Sequence, residues 1–373
     1  MNYSFNFKQI HIITTTRCNL RCSYCYEENK SSIDADIEKL KQALYADIKA
    51  CGSNINYLVS FHGGEPFLAF DVVETICDWL WSKFSEYNIL VNISTNGTIL
   101  TSQVKNWIRA NRKRAVVVLS LDGLPAVHDK NRDNSFSKID IDFFREVYKM
   151  PFAKMTVPAS AVRHMAQGFE YLCNLGFNTS MTIAAEDEYT ENDVKILGDQ
   201  LVQVIEFYKY HNNIPVTEML DQPLERMSPN YVQNKDVLHR CGIGKFRSAY
   251  DVYGNKYPCQ TFISDFSTPY DAQEYCEIDR RLKTNWKELC YECRECSIAP
   301  LCSTCYGLNY SKRNDISKID TNFCIVQKLL VKASAYLWTL ILTNADYYPW
   351  LQDLSDSERK LKLEGILEIQ KRL

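Results

Sequence analysis

The chain has 373 residues, 46% hydrophobic and 24% charged, which is the profile of an ordinary globular protein with room for a large core. A formal net charge of −3 leaves no basic surplus for nucleic acid or anionic lipid, so neither is expected as a partner. The N-terminal "MNYSFNFKQIHIITTT" has no signal-peptide pattern, and no window approaches the roughly 18 consecutive apolar residues of a membrane span, so a cytoplasmic protein with no membrane partner is expected.

From residue 9 to about 210, short β-branched runs alternate with helical periodicity. The runs are 9–16, 57–64, 89–97, 115–123, 154–160 and 178–186, most ending in Gly, Ser, Thr or Asp, as buried parallel strands feeding loops do. Between the first two, Ile37, Leu40, Leu44 and Ile48 form one apolar helix face, and 72–84, 102–112, 141–150 and 191–210 supply further crossover helices. The series predicts a parallel α/β barrel or open barrel over 1–210, with ligands where strands run into helices. Residues 211–240, with three prolines and no clear period, read as a linker. Residues 241–324 read as a metal-organised module, because they hold too few apolar residues for a core. Two helices are expected over 325–373.

Fifteen cysteines in a reducing compartment point to metal ligation rather than disulfides. Three stand at Cys18, Cys22 and Cys25, directly behind the first strand, and nine fall between Cys241 and Cys324. Cys51, Cys77 and Cys173 are scattered and read as packed thiols. A structural zinc site needs four ligands, and no fourth stands near the N-terminal triplet. An iron–sulfur cluster held by three thiolates leaves one iron open.

The spacing Cys-x₃-Cys-x₂-Cys after a first strand resembles the signature of the radical S-adenosylmethionine (SAM) superfamily. The resemblance implies a partial (β/α)6 barrel and a [4Fe–4S] cluster whose open iron is chelated by SAM, and reductive cleavage to a 5′-deoxyadenosyl radical. Three further segments stand where the family has its SAM loops: "GGEP" (Gly63, Gly64, Glu65, Pro66), "STNGT" (94–98) and "SLDGLPAVHDKNR" (120–132). The resemblance implies SAM contacts from Ser94, Asn96, Ser120 and Asp122, with Arg132 a further candidate and Glu65 accepting a bond from the SAM amino group. Tyr24 matches the aromatic position near the adenine. Taken singly, each loop also reads as a helix N-cap or turn, the favoured reading for "STNGT" or "SLDG" alone, and Tyr24 as packing over the cluster.

Cys241-x₁₂-Gly254-x₄-Cys259, then Cys293-x₂-Cys296-x₅-Cys302-x₂-Cys305 and Cys324, are similar to the SPASM extension, which holds two auxiliary [4Fe–4S] clusters. The final gap of the central group is two residues where the family usually has three. By position, Cys293, Cys296, Cys302 and Cys324 hold the outer cluster, and Cys241, Cys259 and Cys305 the inner one. The inner cluster's fourth ligand is open: Cys276 is preferred over Cys290, the position could be left for a peptide thiolate, or either spare could act catalytically as a hydrogen donor.

SPASM proteins modify peptides or proteins. The resemblance implies a maturase that crosslinks a ribosomally made precursor, with a separate leader-recognition protein and a flavodoxin- or ferredoxin-type electron donor as partners. Formylglycine formation on a sulfatase and peptide epimerisation are the alternative chemistries, and an iron–sulfur redox sensor the non-enzymatic one. Sulfatase maturation uses an Asp base after the Cys259 position; here Gln260 stands there, and an amide cannot take the proton. Asp251 or Asp265 could substitute.

Overall fold

A computed structural model describes residues 7–25, 27, 30–185, 187–230, 239–263, 270–284, 289–344 and 347–373. Asp265 and part of the expected linker lie outside them. Six parallel strands pair in chain order: β1 (Phe7–Ile13), β2 (Asn56–His62), β3 (Ile89–Thr95), β4 (Ala115–Ser120), β5 (Phe152–Val157) and β6 (Asn178–Ile183). The crossover helices are α1 (Ile37–Cys51), α2 (Phe70–Lys83), α3 (Ser102–Asn111), α4 (Pro125–Asn131), α5 (Ile141–Val147), α6 (Met165–Asn174) and α7 (Glu191–Tyr210). This is the α/β partial barrel expected from the strand series, though α4 and α6 were not anticipated. In α6 a glycine stands where a helix former would be usual, because Gly168 packs against Gly123: a Cβ on Gly123 would lie 2.6 Å from the Gly168 Cα.

Local chemistry sets the helix starts. The Asp36 carboxylate accepts from the Lys39 amide at the head of α1, and Thr190 and Asp193 form a reciprocal capping box on α7.

The sheet continues past β1 with β7 (Arg247–Tyr250), which pairs in parallel with it, and β8 (Lys256–Tyr257), which returns antiparallel. Asp47 on α1 fastens this junction, taking a bond from Ser248 at 2.7 Å and ion pairs from Lys8 and Lys256. On the far side of the sheet, Met181 of β6 donates its amide to the Thr217 hydroxyl, so residues after α7 cover that strand's free edge.

Because α1 bonds Lys8 and Ser248, the face of β1 and β7 carrying those residues is the helix side. The register then assigns every strand: Ile10, Ile12, Tyr57, Val59, Phe61, Val91, Ile93, Val117 and Met155 lie under the helices and are buried. The opposite face lines the barrel lumen and is largely polar: Gln9, His11, Ser60, His62, Asn92, Ser94, Ser120, Lys154, Thr156 and Ser180. A closed eight-stranded barrel fills this space with branched apolar side chains. This lumen is instead lined by polar side chains.

The remaining helices are α8 (Ala272–Leu282), α9 (Tyr306–Arg313), α10 (Phe323–Thr343) and α11 (Asp356–Arg372). By length and composition α10 could cross a membrane, but 56% of its apolar window is buried inside the fold, where it packs on α7 and α11.

Candidate active site

The threonine run before the first cysteine is an anchor. Thr14 donates to the His62 carbonyl at 3.0 Å, and Thr15 to Asp34 at 2.6 Å. Arg17 then grips the same Asp34 carboxylate through two nitrogens and reaches the Leu68 carbonyl at 2.8 Å. The loop bearing Cys18, Cys22 and Cys25 is thus fixed before it leaves β1. Asn19 joins it to the loop after β3, accepting from Asn96 at 2.9 Å and donating to Thr98 at 2.8 Å.

The GGEP loop packs beneath. Gly64 donates to Thr15 and Glu65 to Arg17 through their backbone amides, and a Cβ on Gly64 would sit 1.9 Å from the Arg17 carbonyl oxygen. These glycines let backbone meet backbone. Glu65 is 1% exposed, and its carboxylate accepts from Phe67 N, from Thr95 Oγ1 at 2.7 Å and from Asn96 N at 2.8 Å. Burial pushes its pKa up to about 7 against these bonds. Three bonds already occupy the group that was expected to take the SAM amine, so its first task is to hold the β2 and β3 loops together.

The loop after β4 supplies the opposite wall. Asp122, 1% exposed, accepts from the Tyr24 hydroxyl at 2.6 Å and pairs with Arg132 Nε at 3.0 Å. Its other oxygen takes the Thr156 amide at 3.2 Å. Arg132 also stands over the Tyr24 ring, 5.3 Å from its centroid, with Nη1 4.0 Å from the Cys22 sulfur. Burial raises the Cys22 thiol, Arg132 opposes this, and Cys25 and Cys18 add repulsion, so the three sulfurs share one electrostatic neighbourhood. Ser94 and Ser120 lie on the lumen face by register and are partly exposed.

The later cysteines form two groups. Burial pushes the Cys302 thiol to about 12, with Cys293, Cys324 and Cys296 adding repulsion. Burial likewise takes Cys259 to about 12, with Cys305 and Cys241 contributing. These groupings coincide with the outer and inner sets expected from spacing. A cavity of about 100 Å³ is lined by Cys290, Cys293, Cys296, Cys302, Cys305 and Cys324. Between Cys259 and Cys305 stands the Thr261 hydroxyl, 3.0 Å from the first sulfur and 3.6 Å from the second. Among the described residues no three His, Cys, Asp or Glu side chains converge closely enough to chelate a single ion.

The preference for Cys276 as fourth ligand gains no support from its placement. Cys276 is exposed on α8, whereas Cys241 and Cys305 are half-buried and Cys259 is buried. Cys290 is buried but hydrogen-bonds Cys293 of the outer group. Asp251 cannot serve as a substitute base: both carboxylate oxygens close the β7–β8 turn, accepting from Tyr253 N, Asn255 N and Nδ2, and the Tyr257 hydroxyl. The sequence reading missed the lumen residues His11, His62, Asn92 and Arg247. Their signal was the polar residue at alternate positions of "QIHII", "VSFH" and "VNIS".

Residues 12–199 match the model of the radical SAM superfamily. The chain belongs to that superfamily. Its members are enzymes that use a [4Fe–4S] cluster and SAM, and the Cys18, Cys22, Cys25 loop is the donor set that fits such a cluster here. The chain is 21% identical to the radical SAM cyclopropyl synthase TigE of Paramaledivibacter caminithermalis, over 87% of this chain and 73% of that protein. It is 25% identical to the subtilosin biosynthesis protein AlbA of Bacillus subtilis, over 80% and 67%. An uncharacterized Methanocaldococcus jannaschii protein is 27% identical over 45% of this radical SAM chain, a match spanning 59% of its own length. In fold the chain is similar to anSMEcpe with bound AdoMet and Cp18Cys peptide (TM-score 0.66, 19% identity, 89% of this chain and 98% of that one). Streptococcus suis SuiB bound to precursor peptide SuiA gives a TM-score of 0.58 at 16% identity, covering 84% and 75%.

Proposed function

We propose that this chain is a radical SAM peptide maturase that installs a crosslink, thioether or carbon–carbon, in a ribosomally made precursor. The observation that carries the reading is the polar, partly exposed lumen walled by the three SAM-type loops and backed by two separate cysteine groups. When bound, the cluster and SAM supply a strong hydrogen-atom abstractor. Cys18, Cys22 and Cys25 would hold the cluster, while Tyr24, Asp122 and Arg132 fix the loop above it. Cys293, Cys296, Cys302 and Cys324 would hold the outer auxiliary cluster. Cys241, Cys259 and Cys305 would hold the inner one, leaving a position that a peptide thiolate can take.

The TigE, AlbA and SuiB likenesses favour a peptide substrate, and the SuiA complex a precursor peptide. Sulfatase maturation is the second reading, favoured by the anSMEcpe fold. Gln260 in place of a base and the engagement of Asp251 weigh against it. A separate leader-recognition protein, a flavodoxin- or ferredoxin-type donor and a cytoplasmic location complete the proposal. Reconstituted protein with dithionite and SAM should yield 5′-deoxyadenosine. The Cys18, Cys22, Cys25 triple Ala variant should lose one cluster's iron and all cleavage; retained cleavage would sink the assignment.

A further inference from the structure

The lumen wall at β1, β2 and β7 carries polar groups that the site described above does not use. His11, 7% exposed, has neither ring nitrogen bonded. Register places it beside Ser60, and Ser60 beside Asn92, whose Oδ1 is also buried and unpartnered. His62 stands one row nearer the GGEP loop, its ring 5.1 Å from that of His11. Opposite His11 on β7 is Ala249, and the neighbouring lumen-side residue is Arg247, opposite Gln9. Arg247 acts electrostatically on His11, His62 and Cys259, and its Nε is buried without a partner. Gln260, next to Cys259, leaves its own Oε1 unpartnered.

Buried donors and acceptors in folded proteins are paired with protein, ordered water or a ligand, so this group of unpaired ones marks a wall able to hold a polar ligand. The charge balance gives its sign. Burial lowers both histidines; His62 and Arg247 lower His11 further, and Arg247 lowers His62, so both rings are neutral and the cluster's charge is that of the guanidinium. No ion pair to Arg247 is formed among the described residues. We propose that Arg247, His11 and His62 form a subsite for a carboxylate of the peptide substrate, with Asn92 and Gln260 accepting from its adjoining amide N–H. This rests on the maturase reading for the ligand being a peptide. A guanidinium fork with imidazole N–H donors matches a carboxylate, which is supplied either by an acidic side chain or by a chain terminus.

The test uses cluster-loaded protein labelled with ¹⁵N at its six histidines. Three probes are titrated anaerobically: acetyl-Gly-Glu-Gly-amide, acetyl-Gly-Gly-Gly with a free carboxylate, and acetyl-Gly-Gln-Gly-amide as the uncharged control. One or both carboxylate peptides should shift two histidine ring signals saturably and bind about tenfold tighter than the control, equivalent to 1.4 kcal/mol. Which peptide does so identifies the source. Arg247→Gln should abolish the preference and Arg247→Lys restore part of it, both with the wild-type melting temperature. Equal responses to all three peptides overturn the subsite, as does a folded Arg247→Gln protein that keeps the preference. The ring signals report binding without SAM cleavage, so failure of the subsite and failure of the maturase reading are separable.

Discussion

Tyr24 and Asp122, 98 residues apart in sequence, meet in a 2.6 Å hydrogen bond that ties the cysteine loop to the end of β4. The same carboxylate neutralises Arg132, whose side chain is 9% exposed. Replacing Asp122 with Ala leaves that guanidinium buried and unpaired. A loss of about 3–5 kcal/mol is expected, read as a lowered urea midpoint. Tyr24→Phe removes only the hydroxyl and should cost about 1.5–3 kcal/mol. If the two variants are equally stable, the ion pair is not what holds this wall.

Glu65→Ala should destabilise the protein even without cofactors. It leaves Thr95 Oγ1, Asn96 N and Phe67 N without their acceptor, and loss of bonds to a charged group costs about 1.5–3 kcal/mol each in isolation. Chemical denaturation of the cluster-free variant measures this. An unchanged midpoint with weakened SAM binding would return Glu65 to the role of a direct SAM ligand.

The strand order and five crossover helices were legible from β-branched runs and helical periodicity. The division of labour within motifs was not. Glycines in GGEP look the same whether they face a ligand or, as Gly64 does, the Arg17 carbonyl, because that partner lies 47 residues away. The Cys276 preference has a related basis: loop length says whether a thiol can reach a cluster and not which way it faces on its helix, and Cys276 lies on the exposed side of α8. The lumen was readable in principle, but the alternating histidines and asparagine stood inside runs taken as buried on both faces.

Gly64→Ala should disturb the cluster loop directly. A methyl 1.9 Å from a backbone oxygen forces the two loops apart, and overpacking of this kind typically costs about 1–3 kcal/mol. Iron bound at the N-terminal site should fall while the auxiliary clusters' iron is retained. Full iron content in the variant contradicts the packing argument.

Cys276→Ala should keep its full complement of iron and its unaltered auxiliary-cluster spectra. Iron analysis with electron paramagnetic resonance decides the matter, and loss of a cluster would bring α8 back into the inner site.

Thr261→Val should lower the inner cluster's reduction potential. Once Cys259 and Cys305 are thiolates, only the Thr261 hydroxyl can donate in this trio, and hydrogen bonds to cluster sulfur are among the determinants of potential. A redox titration should show Thr261→Ser close to wild type and Thr261→Val below it. Coincident potentials for all three proteins would count against the hydroxyl's donation.

The pairing of β1 with β7 also orders events during synthesis. The outer edge of β1 has no partner until residues 247–250 have left the ribosome. At ordinary elongation rates, the interval between completing β2 and completing β7 is roughly 10–40 s. Throughout it, the strand that launches the cysteine loop presents open amides and carbonyls to any neighbouring chain. Iron delivered in that interval would meet Cys18, Cys22 and Cys25 on a strand not yet locked from both sides. Cluster insertion is therefore expected to follow the emergence of β7, and truncations ending before residue 247 should aggregate when expressed.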